Sequence, residues 1–119
     1  MKTHSPLFLN RVNQAKQSVR ECTLSDLRDF ENNHSEFTLV DVREDHEWAK
    51  GSIPGSIHLS KGIIERDIEK ALPNPSALIV LYCGGGFRSI LAAESIQKMG
   101  YSQVFSLEGG WSAWSESNS

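Results

Sequence analysis

The residues best suited to chemistry fall together between Leu78 and Ala93. A short apolar run, Leu78-Ile79-Val80-Leu81-Tyr82, ends at Cys83, passes through Gly84, Gly85, Gly86 and Phe87, and meets Arg88 and Ser89. The run is β-rich and of strand length, and the segment after it carries Leu91, Ala92, Ala93 and Ile96 as a helix would. A cysteine at the carboxyl end of a buried strand, facing the first turn of a helix, occupies the place where open α/β sheets bind ligands. The glycines let successive backbone N–H groups turn inward as an anion nest, and the helix N-terminus adds partial positive charge. Arg88 adds a permanent cation. All three favour a thiolate, so Cys83 is expected to be a reactive nucleophile. Two plainer readings compete. An isolated cysteine is often buried filler, and a glycine-rich turn can cradle cofactor phosphates. The dinucleotide fingerprint is incomplete here, however, and no nucleotide-loop lysine follows the glycines.

Composition narrows the field. At 119 residues, 39% hydrophobic, the chain is sized for one domain with one core. A net charge of −3 with scattered Lys and Arg, and no aromatic-interleaved basic patch, argues against a nucleic-acid partner. Cys22 and Cys83 lie too far from any Cys/His ligand spacing to suggest zinc. His4, His34, His46 and His58 form no metal pattern, so no metal is expected. No apolar run is long enough to span a membrane and no signal-peptide core is evident, which makes a reducing cytoplasm the expected setting.

The elements that must position Cys83 follow from periodicity. Over residues 4–19, Phe8, Val12, Ala15 and Val19 form one stripe of an amphipathic helix, packing across the domain or serving as a partner-binding arm. Residues 19–22 suit a short strand on which Cys22 is structural. Thr23 and Asp26 read as the capping box of a helix burying Leu24, Leu27 and Phe30, stopped by Asn32-Asn33-His34-Ser35. A strand over 37–42 leads to Asp41, Arg43, Glu44 and Glu47, which read as an ion-pair and capping cluster in preference to direct chemistry. A short helix then stops at Gly51. Ile53-Pro54-Gly55 is a turn, residues 56–60 a strand, and Ser60 the expected cap of a helix reaching about Leu72, before Pro73-Asn74-Pro75. Beyond Cys83, a helix over 88–99, a strand over 103–107 and a closing segment with Trp111 and Trp114 complete the chain. Alternating strands and helices predict an α/β fold, a parallel sheet with helices on both faces. Residues 1–22 are expected to form a helical extension and first strand, and 23–119 the single domain.

Several of these motifs together resemble the single-domain rhodaneses: Asp41-Val42-Arg43-Glu44, Glu47-Trp48, Gly51-Ser52-Ile53-Pro54-Gly55-Ser56, Cys83 through Ser89, Gly100-Tyr101 and Glu108-Gly109-Gly110-Trp111. They run in the family's order across roughly residues 23–115. The resemblance implies a three-layer rhodanese-like domain with a central parallel sheet. It also implies a sulfurtransferase that carries sulfane sulfur as a Cys83 persulfide, within a loop formed by Gly84, Gly85, Gly86, Phe87 and Arg88. Phosphatases of the same fold are expected to carry a loop one residue longer. A non-catalytic module binding a partner or sensing sulfur is the alternative. Ser52 replaces a frequent family histidine, at a turn where little consequence is expected.

The implied partners are a small sulfur donor (thiosulfate, persulfide or polysulfide) and an acceptor that is a thiol, cyanide or a protein. Neither metal nor organic cofactor is implied. Because residues 84–87 bring no cation into the loop, thiosulfate is expected to be a poor donor and a persulfide or polysulfide a better one. Arg88 either orients the loop and supplies the anion field or forms a salt bridge that fixes the next helix. Asp41, Arg43, Arg66 and Ser89 are candidates to stand behind the loop, Arg66 through an approach to the mouth of the site.

Overall fold

A helix, Pro6–Lys16 (α1), leads into the first strand, Arg20–Cys22 (β1), in a computed structural model that describes residues 3–33 and 35–118. Helix Leu24–Asn32 (α2) and strand Thr38–Asp41 (β2) follow, then Asp45–Ala49 (α3), Ile57–His58 (β3), Ile64–Ala71 (α4) and Leu78–Tyr82 (β4). Arg88–Met99 (α5), Gln103–Leu107 (β5) and Gly110–Ser117 (α6) close the chain. The sheet is parallel throughout, in the order β1-β5-β4-β2-β3, so β4 is central and Cys83 leaves the sheet between β5 and β2.

The two-residue period of the strands sorts their side chains between two cores. Val40, Val42, Ile79, Leu81, Cys83 and Val104 face a layer built from α1, α4 and α5. Leu39, Val80, Tyr82 and Leu107 face the opposite layer, where Leu27 of α2 and the partly buried Trp111 and Trp114 of α6 pack. A sheet so covered on both faces is what the continuous apolar run of β4 implied.

Local chemistry accounts for most boundaries. Ser5 precedes Pro6 at the first position of α1, where the missing N–H costs nothing. Thr23 and Asp26 form the reciprocal cap of α2: the Asp26 N–H donates to Thr23 Oγ1 (3.1 Å) and the Thr23 N–H to Asp26 Oδ2 (2.9 Å). Gly100, at φ +120°, ends α5. His34, in the predicted stop of α2, lies outside the described residues.

Two expectations are corrected. Ser60 does not cap a helix: α4 starts at Ile64, with Ile63 at the cap position and no side-chain cap bond. The backbone there is still held to the neighbouring β2, with Leu59 donating to the Asp41 carbonyl (3.0 Å) and Lys61 to that of Val42 (2.9 Å), so residues 60–63 turn before the helix begins. The helix predicted over 4–19 is shorter, Pro6–Lys16, although Val19 beyond it is still buried. α1 lies against α5, with Val12 and Ala15 in the core. Burial of a side chain such as Val12 contributes about 1.5–3 kcal/mol, and the half-exposed Arg11 pairs with the buried Glu94 of α5 across the same contact.

Candidate active site

Cys83 is the first residue past β4, and its side chain points into the layer of α1, α4 and α5 at the carboxyl edge of the sheet. The chain turns back on itself there, so that backbone donors converge on the sulfur. The Gly86 N–H donates to Cys83 Sγ across 3.2 Å and the Ser89 N–H across 3.3 Å. The second is one of the N–H groups that a helix start leaves without an intrahelical partner, here the start of α5. Ser89 Oγ lies 3.4 Å from the sulfur and shares a 2.7 Å hydrogen bond with Ser106 Oγ of β5; both serines are fully buried. An anion at Sγ thus meets two backbone dipoles and a hydroxyl chain.

α6 sets the outer side of this loop. The Trp111 N–H donates to the Cys83 carbonyl (2.8 Å) and the Ser112 N–H to that of Gly84 (3.0 Å). Since a trans peptide points its N–H opposite its carbonyl, the Gly84 and Gly85 N–H groups are turned away from α6. This contact requires two glycines. A Cβ at Gly110 would stand 2.2 Å from the Cys83 oxygen, and one at Gly86 (φ +97°) 3.1 Å from the Gly109 nitrogen. In sequence, Glu108-Gly109-Gly110 reads as a turn; its close approach to the loop becomes visible only in three dimensions.

Arg88 is held in a two-pronged pair with Glu47 of α3, Nη1–Oε1 2.7 Å and Nη2–Oε2 3.0 Å. The Arg88 hydrogen bonds hold the Glu47 carboxyl down at about 2, against the opposing effect of burial, and the guanidinium is shifted upward in turn. Of the two roles expected of Arg88, the salt bridge is the one seen directly. Arg88 lines the cleft over Cys83, yet its charge is largely matched by a carboxylate. Glu47 also accepts the Glu44 N–H (3.1 Å), so the capping residue of α3 is the residue that grips the loop arginine.

Asp41 and Arg43 form a buried pair, Nε–Oδ1 3.0 Å and Nη2–Oδ2 2.7 Å, and Arg43 also donates to the Gly51 carbonyl. The Arg43 guanidinium lies over the Trp111 ring, 4.8 Å from its centroid, and faces the cleft. This is the ion-pair cluster expected from sequence, and it ties β2 to the Gly51 turn and to α6. Arg66 is placed elsewhere. It is exposed on α4, paired with its neighbour Asp67 (2.7 and 3.0 Å), and is absent from the described residues lining the cleft. Cys22 is buried beneath α2, and burial, together with nearby Asp26, Glu108 and Glu21, pushes its thiol up to about 12.

The cleft above Cys83 encloses about 1030 Å³. Gly84, Gly85 and Phe87 of the loop, Arg43, Trp111, His4 of the arm before α1 and Phe8 of α1 line it. Sequence patterning gave no signal that the arm reaches the site. Among the described residues, Glu44, His46 and Glu47 bring candidate metal ligand atoms within 4.8 Å of one another. Glu47 is already committed to Arg88, and the other two are exposed, so the group is a solvated cap of α3. Among the described residues no helix is long and apolar enough to cross a membrane.

Comparison with known proteins agrees with this architecture. The family described as Rhodanese-like domain matches residues 23–117. The thiosulfate sulfurtransferase GlpE of Stutzerimonas stutzeri is 36% identical over 77 residues, covering 64% of this chain and 68% of the relative. Against two other curated relatives the chain spans 51% and 27% of their lengths. A solved structure from Rhodopseudomonas palustris, described as a protein of unknown function and possible tyrosine phosphatase, superposes with a TM-score of 0.83. It is 31% identical and covers 99% of this chain and 96% of its own. The human single-domain sulfurtransferase TSTD1 shares the fold (TM-score 0.77, 24% identity, 86% of this chain and 100% of its own). With its parallel sheet and its cysteine loop at the carboxyl end of β4, the chain belongs to the rhodanese-like domain family.

Proposed function

We propose that this protein is a sulfurtransferase that carries sulfane sulfur on Cys83, in a compartment reducing enough to keep the thiol free. The observation that supports it most directly is the convergence of the Gly86 and Ser89 N–H groups on Cys83 Sγ at the floor of an open cleft. In the first half-reaction the Cys83 thiolate attacks the outer sulfur of a donor. With a persulfide R–S–SH, the Cys83–sulfur bond forms as the donor S–S bond breaks, giving Cys83–S–SH and R–S⁻, which leaves with the electron pair. With thiosulfate the same attack gives Cys83–S–S⁻ and sulfite. In the second half-reaction a thiophilic acceptor, a thiol or cyanide, attacks the outer sulfur and the Cys83 thiolate departs. The loop dipoles favour an anionic sulfur in both states.

A persulfide or polysulfide is the favoured donor. Residues 84–87 carry no cation, and Arg88 is matched by Glu47, so a doubly charged thiosulfate meets little net positive charge. The four residues between Cys83 and Arg88 favour sulfur over phosphoryl chemistry, since related phosphatases carry a longer loop. The test is the intact mass of the reduced protein after brief exposure to thiosulfate and, separately, to glutathione persulfide, with Cys83→Ser alongside. A gain of about 32 Da that cyanide removes and Cys83→Ser lacks is the expected result. A folded protein that gains no sulfur from either donor would instead favour a binding module. Hydrolysis of p-nitrophenyl phosphate through Cys83 would favour a phosphatase.

A further inference from the structure

The arm that precedes α1 lies across the active-site loop. The His4 ring meets Phe87 edge-on, with centroids 4.6 Å apart and an interplanar angle of 70°, and it lies 5.2 Å from Phe8. Phe8 and Phe87 are 6.5 Å apart, so the three rings form one cluster joining the arm to the residue before Arg88. Each ring is only partly buried, and all three line the cleft that opens onto Cys83. Among the described residues neither nitrogen of His4 has a hydrogen-bond partner, which leaves a polar edge on an aromatic wall.

Charge and shape define what this wall suits. The cationic side chains on the cleft, Arg43 and Arg88, are matched by Asp41 and Glu47. An inorganic dianion therefore gains little, whereas ring faces and an imidazole edge reward an organic body carrying an amide or carboxylate. A cleft of about 1030 Å³ has room for such a body beside the reacting sulfur. We infer that His4, Phe8 and Phe87 form a binding subsite for the organic portion of a low-molecular-weight thiol persulfide whose outer sulfur reaches Cys83. The arm is then part of the site, and His4 and Phe8 are specificity-determining residues. The inference rests on the proposed sulfur chemistry for its donor and names the surface that selects it.

The experiment is single-turnover loading of Cys83, followed by mass, with glutathione persulfide and with thiosulfate. The proteins are wild type, His4→Ala, Phe8→Leu and the double variant; leucine keeps the Phe8 position apolar where it meets the core, and Tm confirms folding. The half-saturating concentration of glutathione persulfide should rise about five- to tenfold in the double variant. Its maximal loading rate and its thiosulfate loading should stay within about twofold of wild type. An equal change for both donors, or no change for either, overturns the subsite. A second readout does not depend on sulfur transfer: unreactive S-methylglutathione is titrated into Cys83→Ser while the His4 imidazole protons are followed by NMR. Saturable shifts that Phe8→Leu weakens support the subsite, and their absence overturns it. If wild type loads from neither donor while these shifts persist, the sulfur-transfer proposal fails and the subsite stands.

Discussion

Trp111 donates its backbone N–H to the carbonyl oxygen of Cys83 across 2.8 Å, so the first turn of α6 holds the peptide that begins the active-site loop. The approach is close enough that Gly110 has no room for a side chain: its Cβ would stand 2.2 Å from that same oxygen, at a φ of +48°. Gly85 is the counter-case, with open space around an added Cβ and no positive φ. Gly110→Ala should lower Tm by about 10 °C or more through backbone overlap and strain. Gly85→Ala should leave stability unchanged or raise it by up to about 1 kcal/mol through the unfolded chain. Thermal melts of the two variants, which make the same chemical change in one loop system, check the contrast.

Glu47 should govern donor preference. Its carboxylate lies against Arg88 and cancels the cation that a thiosulfate sulfonate would use. Glu47→Gln keeps an oxygen to accept from Arg88 but removes the negative charge. Thiosulfate loading of Cys83 should then rise relative to persulfide loading by about three- to tenfold at low salt. The gain should shrink as ionic strength increases, because the pair is partly exposed. An unchanged donor ratio would mean that Arg88 acts only as a scaffold.

The same pair fixes an acid limit on stability. The Glu47 carboxyl is lowered from 4.5 to about 2 in the folded protein, chiefly by the Arg88 hydrogen bonds. As pH falls below the ordinary value the unfolded chain takes up this proton first, so folding loses stability between about pH 4.5 and 2. Above that window the contribution is constant. Glu47→Gln should flatten this part of the stability–pH curve, read as urea midpoints between pH 2 and 5, while leaving its slope near neutrality unchanged. A variant curve parallel to wild type throughout would remove Glu47 as a source of the acid sensitivity.

Local signals carried far in this chain, and long-range ones did not. The bounds of α5 and β5 follow from an apolar stripe stopped by Gly100 and from a short strand bounded by polar turns. The cap of α2 is written in Thr23 and Asp26, and the nucleophile in a strand that ends at Cys83 beside three glycines. Ser60 failed as a cap because Val42, just past β2, still holds the backbone at Lys61, a tertiary bond that no propensity records. Arg66 was suggested only by its neighbours in sequence, and α4 turns it out toward Asp67. Glu47 was legible as a capping residue but not as the partner of an arginine 41 positions away. His4 and Phe8 reach the loop only because α1 docks on α5. Ser106 lay hidden within an ordinary strand pattern.

Ser106 is the buried end of a hydroxyl chain whose other end is the sulfur. A hydroxyl can both donate and accept, so the chain from Ser106 through Ser89 can reverse with the state of Cys83. Toward a thiolate, Ser106 donates to Ser89 and Ser89 to sulfur; toward a thiol, the S–H can donate to Ser89. Ser89→Ala should therefore slow alkylation of Cys83 by iodoacetamide at neutral pH by about tenfold to a hundredfold, the cost of a hydrogen bond to a charged group. Ser106→Ala, acting only through Ser89, should slow it by about two- to threefold. The decisive comparison is the double variant. If Ser106 works through Ser89, removing it from a Ser89→Ala background changes the alkylation rate no further, a non-additivity expected of groups in one network. Additive losses would show that Ser106 affects the loop through packing instead, and Tm values for all three variants would show how large that packing effect is.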